Sequence, residues 1–339
     1  TEIHKRDMKV MIQIVLNHTS VDSKLKRKHP EWFYKKEDGS FGNRYGEWKD
    51  INDLDYNNLD LWVSQIKMMR YWAEIVDGFH CNFAPVIPLK FWRLARREIS
   101  KIKPNFIWLA QSIENNFMRE LRSLQIVAYS EAEMFQEFDI IDEYDVYDDF
   151  LAYLKGEVPL SYYIHAMNIQ ETIFPSNYVK AQFLENHDKE RIPTFLQDID
   201  NLVQWTAFKH LQKGAVLMSN GQEVAAVKRI SLIDKDSINW QTGIDLSSFI
   251  SRLSFIKKNY IPSVNVYHHM EAYNELDSVV MYYNDSIEKR IGVFNLKHQE
   301  GHIPVNAPDG EYENLINEEK IIIRNGTLDI QSTPCFFIY

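Results

Sequence analysis

Short apolar runs alternate with stretches of apolar residues at helical spacing through most of this chain. The runs predict strands and the spaced stretches predict helices, because apolar positions repeat every second residue in a half-buried strand and about every 3.6 residues in a helix. Strands separated by helices indicate right-handed βαβ units and a parallel sheet, so the predicted fold class is α/β. The predicted strands span 8–16, 76–85, 105–110, 125–129, 178–184 and 215–219, and the predicted helices 59–74, 91–102, 115–124, 202–211 and 246–259.

The stretch 76–85 is a short apolar run that breaks into a Pro-containing loop. Alternation along a strand sends Phe79, Cys81 and Phe83 one way and His80 and Asn82 the other. A strand that turns polar side chains inward near its end is typical of a barrel with its functional site at the strand tips. The simpler interpretation is a core strand whose two polar residues are satisfied locally.

The pattern changes near the end of the chain, where short strands are separated by turns such as Asn325-Gly326. This arrangement predicts an all-β domain from about Val264, a small antiparallel sandwich. The predicted domains are therefore residues 1–263 and 264–339. The C-terminal strands are expected at 279–283, 290–295, 321–324 and 334–338.

Charge and cysteine content exclude several classes of protein. A formal net charge of −10 argues against nucleic-acid binding, and the one basic run, residues 24–29, is expected to be a solvated helix face. The two cysteines argue against a disulfide framework, and no apolar run reaches the length of a membrane span. Thr1 is not a start residue, so the lack of a leader sequence carries no information. The predicted location is the cytoplasm.

Polar clusters stand at four predicted strand ends, and aromatic residues, which can stack on sugar rings, are plentiful, with 8 Trp, 18 Tyr and 19 Phe. The four clusters are Asn17-His18, His80 with Asn82, Gln111, and Asn186-His187-Asp188. In sequence order they resemble the four signature regions of the α-amylase family of glycoside hydrolases, glycoside hydrolase family 13. The motifs at 48–56 and 220–223 resemble the sequences that flank these regions.

The resemblance implies a (β/α)8 TIM barrel of which this chain holds strands three to eight, followed by the C-terminal β-sandwich. Strands one and two are missing from the sequence, which would leave sheet edges unpaired. Either a missing N-terminal segment or a protein partner is expected to complete the barrel. A short inserted domain is expected at about residues 19–53.

The residues at the family's catalytic positions do not fit its chemistry. Retaining glycosidases need two carboxyl groups, one as nucleophile and one as acid/base. The resemblance places Asn82 at the nucleophile position and Gln111 at the acid/base position, and only Asp188, at the position that stabilises the transition state, is retained. His80 and Gln13 replace a charged pair of the family, Arg and Asp. Four linked losses favour natural decay or repurposing over deliberate inactivation.

Other matched positions are implied to contact sugar, although a polar network that only satisfies the strand ends remains an alternative. Asn17 matches a calcium ligand of some relatives, but the short inserted segment argues against calcium, and no cofactor or metal is expected. Trp32 and Trp48 are further stacking candidates. The implied sugar-binding residues are His18, Tyr56, His80, Asn186 and His187.

The predicted function is therefore that of an α-amylase-like glycosidase homologue in carbohydrate metabolism. With Asn82 and Gln111 at the catalytic positions, we expect it to lack catalytic activity but to retain binding of α-linked gluco-oligosaccharides. We expect no nucleic-acid partner and no membrane span. Two alternatives stay open. One is a retaining α-glucosidic hydrolase or transglycosidase that is active by another route or was disabled on purpose. The other is a non-catalytic interaction subunit, like the heavy chains of amino-acid transporters.

Overall fold

The computed structural model of this chain describes residues 1–262, 266–285, 287–330 and 332–339. Its residues divide into two units, Thr1–Asp145 and Val146–Tyr339. Parallel strands alternate with helices in the first unit and in the first part of the second, and antiparallel strands follow.

In the first unit, four parallel strands are neighbours in the order β1 (Met11–Val15), β4 (Gly78–Asn82), β5 (Ile107–Ala110) and β6 (Ile140–Asp142). The strands predicted at 8–16, 76–85 and 105–110 are confirmed, as are the helices at 59–74, 91–102 and 115–124. The elements are β1 (Met11–Val15), β2 (His18–Ser20), α1 (Lys24–Lys28), β3 (Ile51–Asp53), α2 (Leu59–Ala73), β4 (Gly78–Asn82), α3 (Leu89–Ser100), β5 (Ile107–Ala110), α4 (Asn115–Ser123), α5 (Glu131–Met134) and β6 (Ile140–Asp142).

The core of the first unit lies between these strands and the helices α2 and α3. On α3, Phe91, Trp92, Ala95 and Ile99 are all buried, because residues three to four apart share one face of a helix. Aromatic rings fill the space above the sheet, and the centroids of Trp92 and Trp108 lie 6.4 Å apart. This packing covers the parts of β4 and β5 that precede the polar strand ends.

The segment between β1 and α2 contributes β2 and β3, which pair antiparallel. Its helix α1 carries the basic run and buries none of its residues, which confirms the predicted solvated face. The Ser23 hydroxyl caps α1 by accepting from the Leu25 amide at 3.2 Å. Trp32, Phe33 and Leu54 form a small apolar cluster of this segment with Leu61 of α2.

The prediction of a strand at 125–129 is wrong. Gln125 has a φ of 59°, a left-handed conformation that ends α4, and the Ile126 amide donates to the Leu121 carbonyl oxygen at 2.9 Å. Ile126 and Ala128 then pack against Met118 and Leu121. The next parallel strand is β6, which pairs with β5 through Leu109 and Ile140. The apolar residues that the sequence pattern assigned to a strand pack instead against the C-terminal end of α4.

The second unit begins with helices and two further parallel strands, β7 (Lys180–Gln182) and β8 (Ala215–Val216), which pair through Ala181 and Ala215. Helix α7 (Leu160–Ile173) was not predicted, although Leu160, Ile164 and Met167 stand at the helical spacing that identifies it. The elements are α6 (Tyr147–Leu154), α7 (Leu160–Ile173), β7 (Lys180–Gln182), α8 (Ile199–His210), β8 (Ala215–Val216) and α9 (Ser247–Tyr260).

His210, at the end of α8, makes the stability of this unit depend on pH. Burial, and then the positive charge of Lys257, lower the pKa of His210 from 6.5 to about 4. The unfolded chain therefore binds more protons than the folded chain between these values, so folding stability falls as pH drops from about 6.5 towards 4. His210→Gln is expected to flatten this part of the profile, measured by urea unfolding at a series of pH values. An unchanged slope between the two proteins would contradict the assignment.

The C-terminal part consists of antiparallel strands. They are β9 (Tyr267–Tyr273), β10 (Ser278–Asn284), β11 (Lys289–Asn295), β12 (His302–Pro304), β13 (Gly310–Glu313), β14 (Lys320–Arg324), β15 (Thr327–Asp329) and β16 (Cys335–Ile338). These strands form two four-stranded sheets, in the orders β16–β11–β10–β9 and β12–β15–β14–β13. Side chains from both sheets, including Val280 and Phe337 from the first and Ile321 and Leu328 from the second, share one apolar core.

All four predicted C-terminal strands are confirmed as β10, β11, β14 and β16, while β9, β12, β13 and β15 were not predicted. The predicted boundary at Val264 lies outside the described residues. Parallel strands with helices, followed by antiparallel sheets, are the elements of a partial (β/α)8 barrel with a C-terminal β-domain. Within the described part of the chain, no helix is both long enough and apolar enough to cross a lipid bilayer.

Candidate functional site

Strand β4 positions two polar side chains by alternation. Phe79 and Cys81 are fully buried in the core against the helices, while His80 bonds to Asp142 at the end of β6 and Asn82 bonds to Gln111 directly after β5. The directions predicted for Phe79, His80, Cys81 and Asn82 are confirmed. Phe83 departs from the prediction, because its φ of 50° ends the alternation after β4 and it packs with Phe117 instead. Gly78 lets β4 approach β5 closely, because a Cβ there would lie 2.6 Å from the Ile107 carbonyl oxygen.

Three side-chain amides form a hydrogen-bonded network, called here the amide network. They are Gln13 in the middle of β1, Asn82 at the end of β4 and Gln111 directly after β5. Oε1 of Gln111 accepts from Nδ2 of Asn82 at 2.6 Å and from Nε2 of Gln13 at 3.3 Å. Nε2 of Gln111 donates to the Tyr144 hydroxyl at 3.4 Å. All three amides are neutral, so the network can donate and accept hydrogen bonds but supplies neither a carboxylate nucleophile nor a carboxylic acid.

His80 bonds to Asp142, a residue that sequence reasoning missed. Nε2 of His80 lies 3.0 Å from Oδ2 of Asp142, which stands at the end of β6 with 1% of its surface exposed. The carboxylate holds the imidazole in one orientation. The sequence does contain a signal for this strand end, because the apolar residues Ile140 and Ile141 are followed by the polar Asp142. Tyr144 follows two residues later.

Tyr56 and His18 do not join the amide network. The Tyr56 hydroxyl donates to the Leu16 carbonyl oxygen at 2.7 Å, and its ring packs edge-on against Phe91. His18 stands opposite Asp53 in the β2–β3 pair, where burial lowers its pKa. The roles of Tyr56 and His18 in sugar binding stay predictions.

The two tryptophans proposed for stacking differ. Trp32 is buried, and the imidazole ring of His29 lies parallel to it with a centroid separation of 3.8 Å. One face of Trp32 is therefore already covered. Trp48 is 37% exposed and lies in a cluster of aromatic rings, so only Trp48 presents open surface to a ligand.

The calcium position of some relatives, matched by Asn17, lies beside the guanidinium of Arg44. Its nitrogens lie 3.5 Å from Oδ2 of Asp53, 3.5 Å from Oδ1 of Asp55 and 3.1 Å from the Leu54 carbonyl oxygen. The oxygen atoms of Asp53, Asp55 and Leu54 are thus paired with a cation of the chain itself, and only Oδ1 of Asn17 is buried with no hydrogen-bond partner among the described residues, whereas a calcium ion takes six to eight oxygen ligands. These residues do not fit a resident calcium ion. Among the described residues, no group of three or more His, Cys, Asp and Glu side chains is placed to hold a metal.

Arg44→Met is expected to destabilise the chain by about 1–3 kcal/mol, because Asp53 is then left partly buried without its charged partner. Thermal unfolding measures the change, with Arg119→Met, at an exposed arginine on α4, as the matched control.

For the unaltered chain we expect the same unfolding midpoint in excess EDTA and in excess CaCl2. A midpoint that falls in EDTA would show that a metal, rather than Arg44, holds this segment.

The second unit contains the remaining predicted residues. The Asp188 amide donates to Oδ1 of Asn186 at 2.9 Å, and Nε2 of His187 lies 3.4 Å from Oδ1 of Asp188. Asn186 is buried, while the side chains of His187 and Asp188 are each 38% exposed. The structure therefore brings Asn186, His187 and Asp188 together in one turn after β7.

A buried ion pair supports that turn. Glu185 accepts from the Arg191 guanidinium and, at 2.7 Å, from the Ile192 amide. Arg191 also donates to the Asn220 carbonyl oxygen, and Gly221, with a φ of 88°, makes room for it, since a Cβ there would lie 2.9 Å from the guanidinium. This explains the glycine of the motif at 220–223.

Comparison with solved structures decides the family. An alpha-amylase from Lactobacillus plantarum has 35% sequence identity to this chain and a TM-score of 0.94, over 99% of this chain and 79% of that one. The chain belongs to the α-amylase family. The noncanonic maltogenic alpha-amylase AmyB from Thermotoga neapolitana is 27% identical with a TM-score of 0.83, over 99% of this chain and 78% of that one.

Two further matches agree with this membership of glycoside hydrolase family 13. Residues 269–337 match the family described as Bacterial Alpha amylase C-terminal domain. Alpha-amylase MalA from Haloarcula japonica is 22% identical over 267 residues, which are 74% of this chain and 36% of MalA. The chain therefore spans about a third of that relative. The fold prediction, part of a (β/α)8 barrel followed by a β-domain, is confirmed.

Proposed function

We propose that this member of the α-amylase family binds α-linked gluco-oligosaccharides at its strand ends without cleaving them. The observation that carries the proposal is the hydrogen bond between Asn82 and Gln111. Retaining glycosidases hold two carboxyl groups about 5–5.5 Å apart so that the anomeric carbon fits between them. Here two neutral amides are in contact, which removes both the chemistry and the gap.

The retained polar residues support binding. An amide group both donates and accepts hydrogen bonds, as a sugar hydroxyl does. A site lined by amides can therefore bind sugars without carrying a charge. His187 and Asp188 keep partly exposed polar side chains in the turn after β7. The relatives named above are alpha-amylases by their descriptions, which makes an α-glucan the expected ligand class.

Calorimetry with maltoheptaose tests the proposal, with cellohexaose as a control for the linkage. We expect saturable heat for the α-linked sugar only, and no new reducing ends after prolonged incubation. Asn82→Leu, which keeps the shape but removes the amide, is expected to weaken binding about tenfold, the effect of losing one or two hydrogen bonds. No heat at millimolar maltoheptaose, or steady release of reducing sugar, would overturn the proposal.

A further inference from the structure

The turn between β14 and β15 is formed by Asn325 and Gly326, the Asn-Gly pair that marks a turn in the sequence. Their φ angles are 53° and 68°, and a two-residue hairpin turn with positive φ at both positions strongly favours Asn-Gly. Beside the turn, Ile323 pairs with Leu328, and both side chains are buried in the core that the two C-terminal sheets share. The geometry of this hairpin therefore explains the dipeptide.

Asn-Gly is also the dipeptide in which an asparagine side chain loses its amide nitrogen most easily, because glycine has no side chain to hinder the reaction. The backbone nitrogen of the glycine gives up its proton and attacks Cγ of the asparagine, which closes a succinimide ring. The proton joins the side-chain nitrogen, which leaves as ammonia. Water then opens the ring at either carbonyl and leaves aspartate or isoaspartate. Asn325 is exposed, so water reaches it.

Asp309, an exposed residue directly before β13, contacts the nitrogen that would react. Its Oδ1 accepts from the Gly326 amide at 2.9 Å, and its Oδ2 accepts from the Asn325 amide at 2.8 Å. These two hydrogen bonds, that of Gly326 first, hold the pKa of the Asp309 carboxyl below its ordinary value, so the group is ionised at neutral pH. A negative charge at this distance opposes loss of the amide proton, and so acidic a carboxyl is too weak a base to remove it.

The second Asn-Gly pair of the sequence, Asn220-Gly221, has the same kind of contact. The Gly221 amide donates to Oε2 of Glu223 at 2.8 Å. Packing protects this pair as well, since Gly221 is buried and a Cβ there would lie 2.8 Å from the side chain of Ile238. By contrast, a Cβ on Gly326 would meet no atom of the described residues within 4 Å beyond its chain neighbours. At the exposed turn, Asp309 therefore provides the protection that packing provides at Gly221.

We propose that Asn325-Gly326 is a deamidation site of this chain and that Asp309 keeps it unreacted in the folded protein. Ring opening to isoaspartate routes the backbone through the side-chain β-carbon, which lengthens the turn by one atom. The adjacent pairing of Ile323 with Leu328 then no longer matches the strand geometry. Ring opening to aspartate places a second negative charge beside Asp309. Deamidation at this turn therefore weakens the pairing of β14 with β15.

Peptide mapping by mass spectrometry, after storage in mildly alkaline buffer, measures deamidation at Asn220 and Asn325 in one sample. In the unaltered chain, Asn325 should react at least about tenfold more slowly when the chain is folded than when it is unfolded in guanidinium chloride. Asp309→Ala is expected to raise the rate at Asn325 in the folded chain about tenfold, the effect of losing one hydrogen bond to a charged group. The rate at Asn220 should stay unchanged, which separates a local effect from general unfolding.

Two further variants complete the experiment. Asp329→Ala is the matched control, because it removes an exposed carboxylate of the same sheet that bonds to His302 instead. Asp309→Ser keeps a side-chain oxygen that accepts from backbone amides but carries no charge, so its rate at Asn325 should lie between those of Asp309→Ala and the unaltered chain. The proposal fails if Asn325 reacts equally fast in the folded and unfolded chain, if Asp309→Ala and Asp329→Ala give equal rates, or if Asp309→Ala accelerates Asn220 and Asn325 alike.

Discussion

The variant that combines Gln13→Asp, His80→Arg, Asn82→Asp and Gln111→Glu is expected to cleave an activated α-glucoside about 10⁴-fold faster than the unaltered chain. The physical reason is that Asn82 and Gln111 are already within 2.6 Å of each other, on neighbouring strands held by an aromatic core. Of two carboxyl groups at these positions, mutual repulsion keeps one protonated, as the acid/base, and leaves the other ionised, as the nucleophile. Release of nitrophenol from 4-nitrophenyl α-maltotrioside measures the rate.

A three-residue variant that keeps Gln111 is the matched control for this experiment. It restores the nucleophile but not the acid/base, so it is expected to react with a substrate whose leaving group needs no proton, such as an α-maltosyl fluoride, and then to stall as a covalent glycosyl-enzyme. Mass spectrometry detects that adduct. If the four-residue variant folds normally, binds maltoheptaose and still releases no nitrophenol, the loss of activity extends beyond these four side chains.

Trp108→Ala is expected to destabilise the chain by about 3–5 kcal/mol. The side chain of Trp108 is 2% exposed, and its ring contacts those of Phe79, Trp92, Phe106 and Phe138. Its removal leaves a cavity directly behind β4 and β5, the strands that carry Asn82 and Gln111. Urea unfolding followed by circular dichroism gives the change in the free energy of unfolding.

Trp240→Ala provides the control for Trp108→Ala, because it is the same substitution at a side chain that is 54% exposed. A change within about 0.5 kcal/mol is expected there. Similar losses in the two variants would mean that the core between the sheet and its helices does not hold the strand ends in place.

Periodicity predicted the strands that carry the amide network, because β1, β4 and β5 are apolar runs bounded by clear polar breaks. It also predicted which way His80 and Asn82 point, since alternation follows from strand geometry alone. It could not predict that Asn82 and Gln111 are in direct contact. That contact depends on strand register and on side-chain rotamers, which no local pattern encodes.

The errors have physical causes as well. Ile126 and Ala128 pack against the end of α4, so their apolar character reflects a helix C-terminus and not a strand. As a result the strand ending in Asp142 was placed too early, and the partner of His80 was missed. The unpredicted β12, β13 and β15 are only three or four residues long, so too few positions alternate to give a signal. Arg44 lies in an irregular segment, and its approach to Asp53 and Asp55 depends on the fold of that segment.

The contact between Asn82 and Gln111 joins two groups that neither gain nor lose a proton in water. The charge of this pair is therefore the same in acidic and in alkaline surroundings. Under the proposed function, sugar binding at this contact does not depend on the protonation of either group, whereas a carboxyl pair in the same place would make it depend on pH.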